Sequence, residues 1–161
     1  MRVGLICVGR LKSGPEREIY HRYSDRISGF RRLGLDGLAL KEIDECKASS
    51  AQTRKLREAE DILAQLPQDA ALAVFDERGS AADSLAFANF IGKERDSGRK
   101  ALWCVIGGSE GLDPMLRARA QAVFSFGAMT LPHQLVRILA AEQIYRAMTI
   151  LYGHPYHRGG E

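Results

Sequence analysis

The sequence predicts an α/β protein built on a parallel sheet, and three observations lead to that prediction. Apolar runs of strand length alternate with amphipathic helical segments along the whole chain. No linker or internal repeat divides the 161 residues, a length that can bury a core of its own. The composition, 45% apolar and 27% charged, is that of an ordinary folded domain. We therefore expect one domain over residues 1–161, with helices on both faces of the sheet.

The first half of the chain predicts two strand-then-helix units. Residues 2–9, RVGLICVG, form an apolar run typical of a buried strand, and Pro15 stands where a first helical turn begins. A second strand, residues 35–43, precedes a helix that stops at Pro67. The apolar stripes of the two helices are Ile19, Tyr23, Ile27 and Phe30, and Leu56, Ala59, Ile62, Leu63 and Leu66.

The second half predicts three more strands and three more helices. The strands are residues 70–76, 100–108 and 122–126. A helix from about Asp83 carries the apolar stripe Leu85, Phe87, Phe90 and Ile91. A short helix begins at Pro114, and the longest helix spans residues 133–151. This last helix is apolar over far more than one face, which favours a subunit interface or burial in the core.

Composition limits the classes of partner. No window approaches the roughly 18 apolar residues of a membrane span, and the N-terminus lacks the features of a signal peptide. Cys7, Cys46 and Cys104 are an odd number without C-x-x-C spacing, which is typical of free thiols in a reducing compartment. The net charge of +3 permits an RNA partner, but Lys and Arg are not clustered as in a histone-like protein. We expect a cytoplasmic protein that binds neither membranes nor DNA.

Three loops at the carboxyl ends of strands contain the candidate site, because ligands bind at that edge of a parallel sheet. They read DERGS (76–80), GGSEGLDP (107–114) and GAMTLPH (127–133). Glycines in the second loop allow close backbone approach to a ligand, although a tight turn alone needs similar residues. The apolar third loop suits a flat ligand such as an adenine ring, or contact with another element or a second subunit.

The C-terminal tail, residues 152–161, reads YGHPYHRGGE. Aromatic and cationic side chains on an irregular segment suit stacking on bases and contact with phosphate. A tail without function is the alternative. Metal binding by His154 and His157 is disfavoured, because two ligands on an irregular segment make a weak site. We therefore expect no metal.

Three segments in a fixed order carry a family resemblance: VIGGSEGLDP (105–114), SFGAMTLPHQLVRILAAEQIYRAMTI (125–150) and HPYHR (154–158). Together they resemble the bacterial ribosomal RNA large subunit methyltransferase H family, the pseudouridine-N3 methyltransferases of the SPOUT superfamily. The likeness begins at LICVGRLK, near the N-terminus. The resemblance implies a SPOUT fold with a deep trefoil knot over roughly residues 104–151, a homodimer, and a flexible functional tail over residues 152–161.

The resemblance also implies an activity and a set of site residues. The implied reaction is S-adenosylmethionine-dependent methylation of N3 of a pseudouridine in 23S rRNA, in the hairpin loop near the decoding centre of the assembled 70S ribosome. The implied donor-binding residues are Phe75, Gly108, Gly127, Ala128, Met129, Thr130, Leu131 and Pro132, and the implied catalytic residues are Tyr156, His157 and Arg158. Family members commonly have serine at Gly127 and leucine at Phe75, so the affinity for the donor stays open.

The implied reaction needs a group that handles a proton, because the imide nitrogen N3 of pseudouridine is protonated at neutral pH. The candidates are His133, Arg137, Glu142 and the three tail residues. The family pattern favours the tail, with Arg158 and His157 stabilising the deprotonated ring and Tyr156 stacking on the base or orienting it. A water molecule as proton acceptor is the alternative.

Two basic clusters are candidates for further RNA contact, and each is also typical of a solvated helix face. They are Arg54, Lys55 and Arg57, and Lys93, Arg95, Arg99 and Lys100. A ribosome-binding module without catalysis and a methyltransferase for another RNA nucleotide stay open as alternatives. A Rossmann-type enzyme is disfavoured, because ICVGRLKSG lacks the third glycine at the required spacing.

Overall fold

The computed structural model describes residues 1–157 and contains five strands and five α-helices in that range. The strands are β1 (Arg2–Val8), β2 (Asp36–Ile43), β3 (Ala71–Ala81), β4 (Ala101–Ile106) and β5 (Ala122–Ser125). The helices are α1 (Pro15–Ser28), α2 (Ala51–Gln65), α3 (Ser84–Asp96), α4 (Pro114–Arg119) and α5 (His133–Leu151), and a 3-10 turn, Gly29–Leu33, follows α1. Each predicted strand and helix is present.

The five strands form one parallel sheet in the order β2-β1-β4-β3-β5. Alternate residues of β1 point to opposite faces, so Leu5 and Cys7 pack with α1, α3 and α5, whereas Ile6 and Val8 pack with α2 and α4. Both faces are therefore covered by helices, and the prediction of a parallel α/β fold is confirmed. The trefoil knot and the single-domain organisation stay predictions.

Strand β3 differs from its predicted bounds, because it continues beyond Asp76 through the segment predicted as a loop. Phe75 and Ser80 both pair with Phe124 of β5, so the residues between them form a bulge in the ladder. Gly79 permits the close approach, since a Cβ there would lie 2.6 Å from the carbonyl carbon of Phe124. Pairing with β5 therefore determines where β3 ends, and the polar sequence of this part of the strand does not predict that extension.

Two leucines depart from the predicted apolar stripes. Leu56 of α2 and Leu85 of α3 are 43% and 52% exposed. The core next to α2 is filled by Ala59 and Ile62 instead, and the core next to α3 by Phe87 and Ile91. Helix α5 buries Ala140, Ile144 and Met148 fully, yet leaves Leu135 and Leu139 partly exposed. Whether a second subunit covers those two stays a prediction. No helix among residues 1–157 has the length and apolarity to cross a membrane.

Arg137 fastens the first turns of α5 to the ends of β1 and β2. Its side chain is 1% exposed, and one terminal nitrogen donates to Oε1 of Glu42 at 2.5 Å. The other terminal nitrogen donates to the carbonyl oxygen of Gly9 at 2.9 Å. The Glu42 oxygen also accepts the backbone N–H of Leu11 at 2.7 Å. Arg137 is thus a buried connector whose charge is paired in the core, and it is not part of the lining of the cavity described below.

We expect Arg137→Met to lower the free energy of unfolding by about 3–5 kcal/mol, because breaking a buried ion pair leaves a partner uncompensated. The measurement is urea unfolding followed by circular dichroism. Arg10→Met is the control, since the ion pair between Arg10 and Asp44 lies in solvent and its loss should leave the midpoint unchanged. Equal midpoints for the two variants would contradict the connector role of Arg137.

The three cysteines should differ in reactivity. Burial raises the pKa of the Cys7 and Cys104 thiols to about 12, whereas Cys46 is half-buried. A thiol-specific colorimetric reagent should therefore modify Cys46 alone in the native protein and also Cys7 and Cys104 after denaturation. A Cys46→Ser variant should show no rapid native reaction; rapid modification of that variant would show that the buried thiols open readily.

Candidate functional site

A cavity of about 270 Å³ opens at the carboxyl ends of β3, β4 and β5, beside the start of α5. Three chain segments supply most of its lining: residues 75–78, 106–112 and 125–131. Lys55 of α2, Arg117 of α4, and His133 and Val136 of α5 complete it. The cavity lies at the edge of the sheet where ligands bind in parallel α/β folds.

The glycine loop after β4 forms one wall of the cavity. Gly108 and Gly111 form an isolated antiparallel bridge, and the N–H of Gly111 donates to the carbonyl oxygen of Gly108 at 3.1 Å. Gly111 has a φ of 77°, a conformation that glycine adopts without strain. A Cβ at Gly107 would lie 2.9 Å from Cγ of Leu112. The loop is therefore a tight backbone turn with little room for side chains.

The apolar loop after β5 forms the second wall. The hydroxyl of Ser125 donates to the carbonyl oxygen of Gly127 at 3.0 Å and accepts the N–H of the same residue at 3.1 Å. Gly127 turns the chain with a φ of 120°. Met129 is 82% exposed, so no other element of the described chain covers this loop. An exposed apolar loop beside a cavity is typical of a ligand or partner surface.

A stacked aromatic pair forms part of the cavity wall. The rings of Phe75 and Phe126 are stacked, with centroids 4.7 Å apart and an interplanar angle of 15°. Both residues also line a second cavity of about 410 Å³, together with Phe87 and Phe124. The stacked pair therefore separates two neighbouring cavities.

Several charged side chains around the first cavity are paired. Arg117 donates to Oδ2 of Asp76 at 2.9 Å, and Oδ1 of Asp76 accepts the N–H of Arg78 at 2.9 Å. Arg54 forms an ion pair with Glu110 at the tip of the glycine loop, and it donates to the carbonyl oxygen of Ala48 at 2.7 Å. These pairs hold the β3 bulge and the glycine loop in place.

The structure separates the members of the two basic clusters. Arg54 is paired with Glu110, Lys55 lines the cavity, and Arg57 is exposed on α2. Arg95 pairs with Asp96 at 2.7 Å, and Arg99 lies 3.7 Å from a carboxylate oxygen of Glu94. Arg54 and Arg95 are thus engaged within the chain, and helix spacing alone gives no sign of it.

Six of the eight predicted donor-binding residues lie together in the cavity wall: Phe75, Gly108, Gly127, Met129, Thr130 and Leu131. Ala128 and Pro132 belong to the same loop but are not part of the lining. The sequence analysis did not single out Ser125, whose hydroxyl holds the turn at Gly127. It also did not single out the ion pair between Asp76 and Arg117. A serine two residues before a glycine is a turn signal that could have revealed the first.

The predicted catalytic residues lie elsewhere on the chain. The hydroxyl of Tyr156 donates to Oε1 of Glu142 at 3.1 Å, and its ring lies edge-on to Tyr145 with centroids 4.7 Å apart. His157 is half-buried, and its Nδ1 atom has no hydrogen-bond partner among the described residues. Arg158 lies outside the described residues. None of the described tail residues lines the cavity.

The remaining proton-transfer candidates divide in the same way. His133 lines the cavity, whereas Glu142 is held on α5 by Arg146, whose Nε donates to Oε1 of Glu142 at 2.9 Å. The Arg146 guanidinium lies 4.9 Å from the ring centroid of Tyr156. Glu142 is thus part of the tail's anchoring cluster. Residues 1–157 contain no group of three or more His, Cys, Asp or Glu side chains arranged to hold a metal ion.

The fold and the cavity agree with a sequence family. Residues 1–157 match the family described as "Predicted SPOUT methyltransferase". The class of protein is therefore the SPOUT methyltransferases, as the motifs after β4 and β5 predicted. A solved structure, the SpoU methyltransferase AviRb from Streptomyces viridochromogenes in complex with AdoMet, matches 95% of this chain with a TM-score of 0.43 and 16% identity; the match spans 61% of that chain.

Curated relatives define the family more narrowly. Ribosomal RNA large subunit methyltransferase H of Sinorhizobium fredii is 54% identical over 159 residues, which are 98% of this chain and 99% of that protein. Proteins of the same name from Rhizobium johnstonii and Allorhizobium ampelinum are 53% and 49% identical over the same shares of both chains. The chain belongs to the ribosomal RNA large subunit methyltransferase H family.

We expect Gly107→Ala to weaken binding of S-adenosylmethionine by about tenfold, or about 1.4 kcal/mol. The added Cβ would meet Leu112 and the carbonyl carbon of Gly111, at 2.9 and 3.0 Å, and displace the glycine loop. Isothermal titration calorimetry measures the affinity. Gly29→Ala is the control, because a Cβ there meets nothing within 4 Å. Similar affinities for both variants would show that the loop's shape does not determine binding.

Proposed function

We propose that the chain transfers the methyl group of S-adenosylmethionine to N3 of a pseudouridine in 23S rRNA, on the assembled 70S ribosome. The observation that carries the proposal is the cavity, where six of the residues implied to bind the donor meet at the carboxyl edge of the sheet. Relatives 49–54% identical over nearly the whole chain are named for the methylation of large-subunit ribosomal RNA. A ribosome in the cytoplasm is then the site of action.

The chemistry of the cavity's lining suits such a donor. Met129, Leu131 and Val136 offer apolar contact for an adenine ring. The donor, when bound, supplies an activated methyl group on a positively charged sulfur. The chain's task is then to align donor and acceptor and to exclude water, and alignment alone contributes several kcal/mol.

Tyr156 is proposed to orient the base and not to remove its proton. Burial raises the pKa of the Tyr156 phenol to about 12, and the hydrogen bond with Tyr23 and the charge of Glu142 act in the same direction. The phenol therefore stays protonated throughout the neutral range and acts as a hydrogen-bond donor. His157 and Arg158 are then the tail groups proposed to stabilise the deprotonated imide.

The distance between tail and cavity supports a homodimer as the active form. Tyr156 is anchored on Glu142, which lies nine residues beyond His133 and so about 13 Å farther along the axis of α5. The described part of the tail, held there, does not line the cavity of its own chain, and in the proposed homodimer a second copy packed against α5 supplies the tail. The exposed Leu135 and Leu139, on the intervening turns of α5, offer apolar area for such a contact.

Alanine at Tyr156, His157 or Arg158 should abolish methyl transfer and leave binding of S-adenosylmethionine nearly unchanged, because the donor cavity contains none of the described tail residues. Transfer is measured with labelled donor and ribosomes, and binding by calorimetry without RNA. Tyr152→Phe is a control in the same segment that keeps an aromatic ring. If donor affinity falls in step with activity, the tail has a structural role and the catalytic proposal is wrong.

The decisive test of the reaction is transfer of labelled methyl from S-adenosylmethionine to ribosomes from a strain that lacks this gene. Intact 70S ribosomes are compared with free subunits, and the labelled nucleotide is mapped. Label at N3 of one pseudouridine, with 70S ribosomes only, is the expected result. Donor binding without transfer would instead favour a ribosome-binding module, and label at another position would favour a different nucleotide.

A further inference from the structure

The ionised side chains that line the first cavity are not equally engaged. Asp76 is paired with Arg117, and Glu110 is paired with Arg54. Three others, Lys55, Glu77 and Arg78, form no ion pair within residues 1–157. Two cations and one anion are therefore available to a charged ligand, and the donor's amino-acid portion carries one ammonium and one carboxylate.

Burial distinguishes the two available cations. Arg78 is exposed on the β3 bulge, where water screens its charge, whereas Lys55 is half-buried on α2. A half-buried ammonium gains more from an anionic partner, because it has already lost part of its water. The position of the Lys55 side chain in the cavity wall therefore favours a bound anion as its partner.

The ligand's orientation follows from which elements supply the polar and apolar lining. Apolar side chains come from the loop after β5 and the start of α5, at Met129, Leu131 and Val136. Lys55 comes from α2, and its neighbour Arg54 pairs with Glu110 at the tip of the glycine loop. An adenine ring on the apolar lining leaves the charged end of the same ligand for the lining near α2.

We propose that Lys55 binds the carboxylate of the methyl donor's amino-acid portion, an inference that rests on the proposed function. Arg54, its neighbour on α2, acts as a positioning residue. Its ion pair with Glu110 neutralises a carboxylate that would otherwise compete for Lys55 and repel the ligand's carboxylate. Its bond to the Ala48 carbonyl oxygen, at 2.7 Å, ties that pair to the segment before α2.

Two ligands that differ in the amino-acid portion test the proposal without RNA. S-adenosylhomocysteine contains the carboxylate, and 5′-methylthioadenosine lacks both the carboxylate and the ammonium. Lys55→Met should weaken binding of S-adenosylhomocysteine by about tenfold or more, as expected for a lost charge-assisted hydrogen bond, and leave binding of 5′-methylthioadenosine unchanged. Lys55→Arg should restore most of the affinity. Lys47→Met removes the same charge from an exposed lysine outside the cavity and should change neither affinity.

Three outcomes would overturn the proposal. Equal weakening of both ligands by Lys55→Met would mean that Lys55 supports the cavity's shape. A selective loss with Arg78→Met instead would place the carboxylate at the β3 bulge. Unchanged affinity for S-adenosylhomocysteine, together with reduced methyl transfer to ribosomes, would mean that Lys55 contacts RNA phosphate. If the unaltered protein binds neither ligand, the donor cavity itself is refuted, a pattern distinct from the other three.

Discussion

The buried guanidinium of Arg137 is the interaction on which the architecture around the cavity depends. A cation that has lost its water is tolerated only with partners, and Arg137 has them on two strands: Glu42 of β2 and the carbonyl oxygen of Gly9 after β1. Helix α5 can satisfy that requirement in one position along its axis, with its first turns over the ends of these strands. The start of α5, and with it His133, is therefore fixed relative to the sheet.

Fixing the start of α5 also holds the apolar loop that precedes it. The loop leaves β5 through the double hydrogen bond between Ser125 and Gly127 and enters α5 at His133, so both of its ends are held. A loop held at both ends can keep Met129 in solvent without collapsing onto the core. Exposure of apolar area is unfavourable for stability, and the two held ends make it possible to keep this loop exposed.

Most of the fold could be predicted from the pattern of apolar residues. Strands such as β1 and β4 are buried on both faces, so they appear in the sequence as continuous apolar runs. The bulged end of β3 was missed since its polar residues are paired by geometry and not by burial. Spacing placed Arg137 and Arg54 on helices but could not show which charges turn inward, as this depends on partners distant in sequence. The glycine and apolar loops were found because both follow predicted strands at the carboxyl edge of the sheet, and because Met129 and Leu131 are unusual residues for a turn.

The tail shows the limit of reasoning from neighbouring motifs. Its motif lies only a few residues beyond α5 in sequence. Helix α5, however, begins beside the cavity at His133 and ends at Leu151, so its length separates the motif from the cavity. Tyr156 then folds back onto α5 and is held there by Glu142 and Tyr145, with Arg146 over its ring. Such anchoring limits the conformations of the Tyr156 side chain, so the entropy that this side chain would lose on meeting a substrate is small. One end of α5 thus borders the cavity while Tyr156 lies farther along the same helix, an arrangement that, in the proposed function, keeps donor binding apart from base recognition.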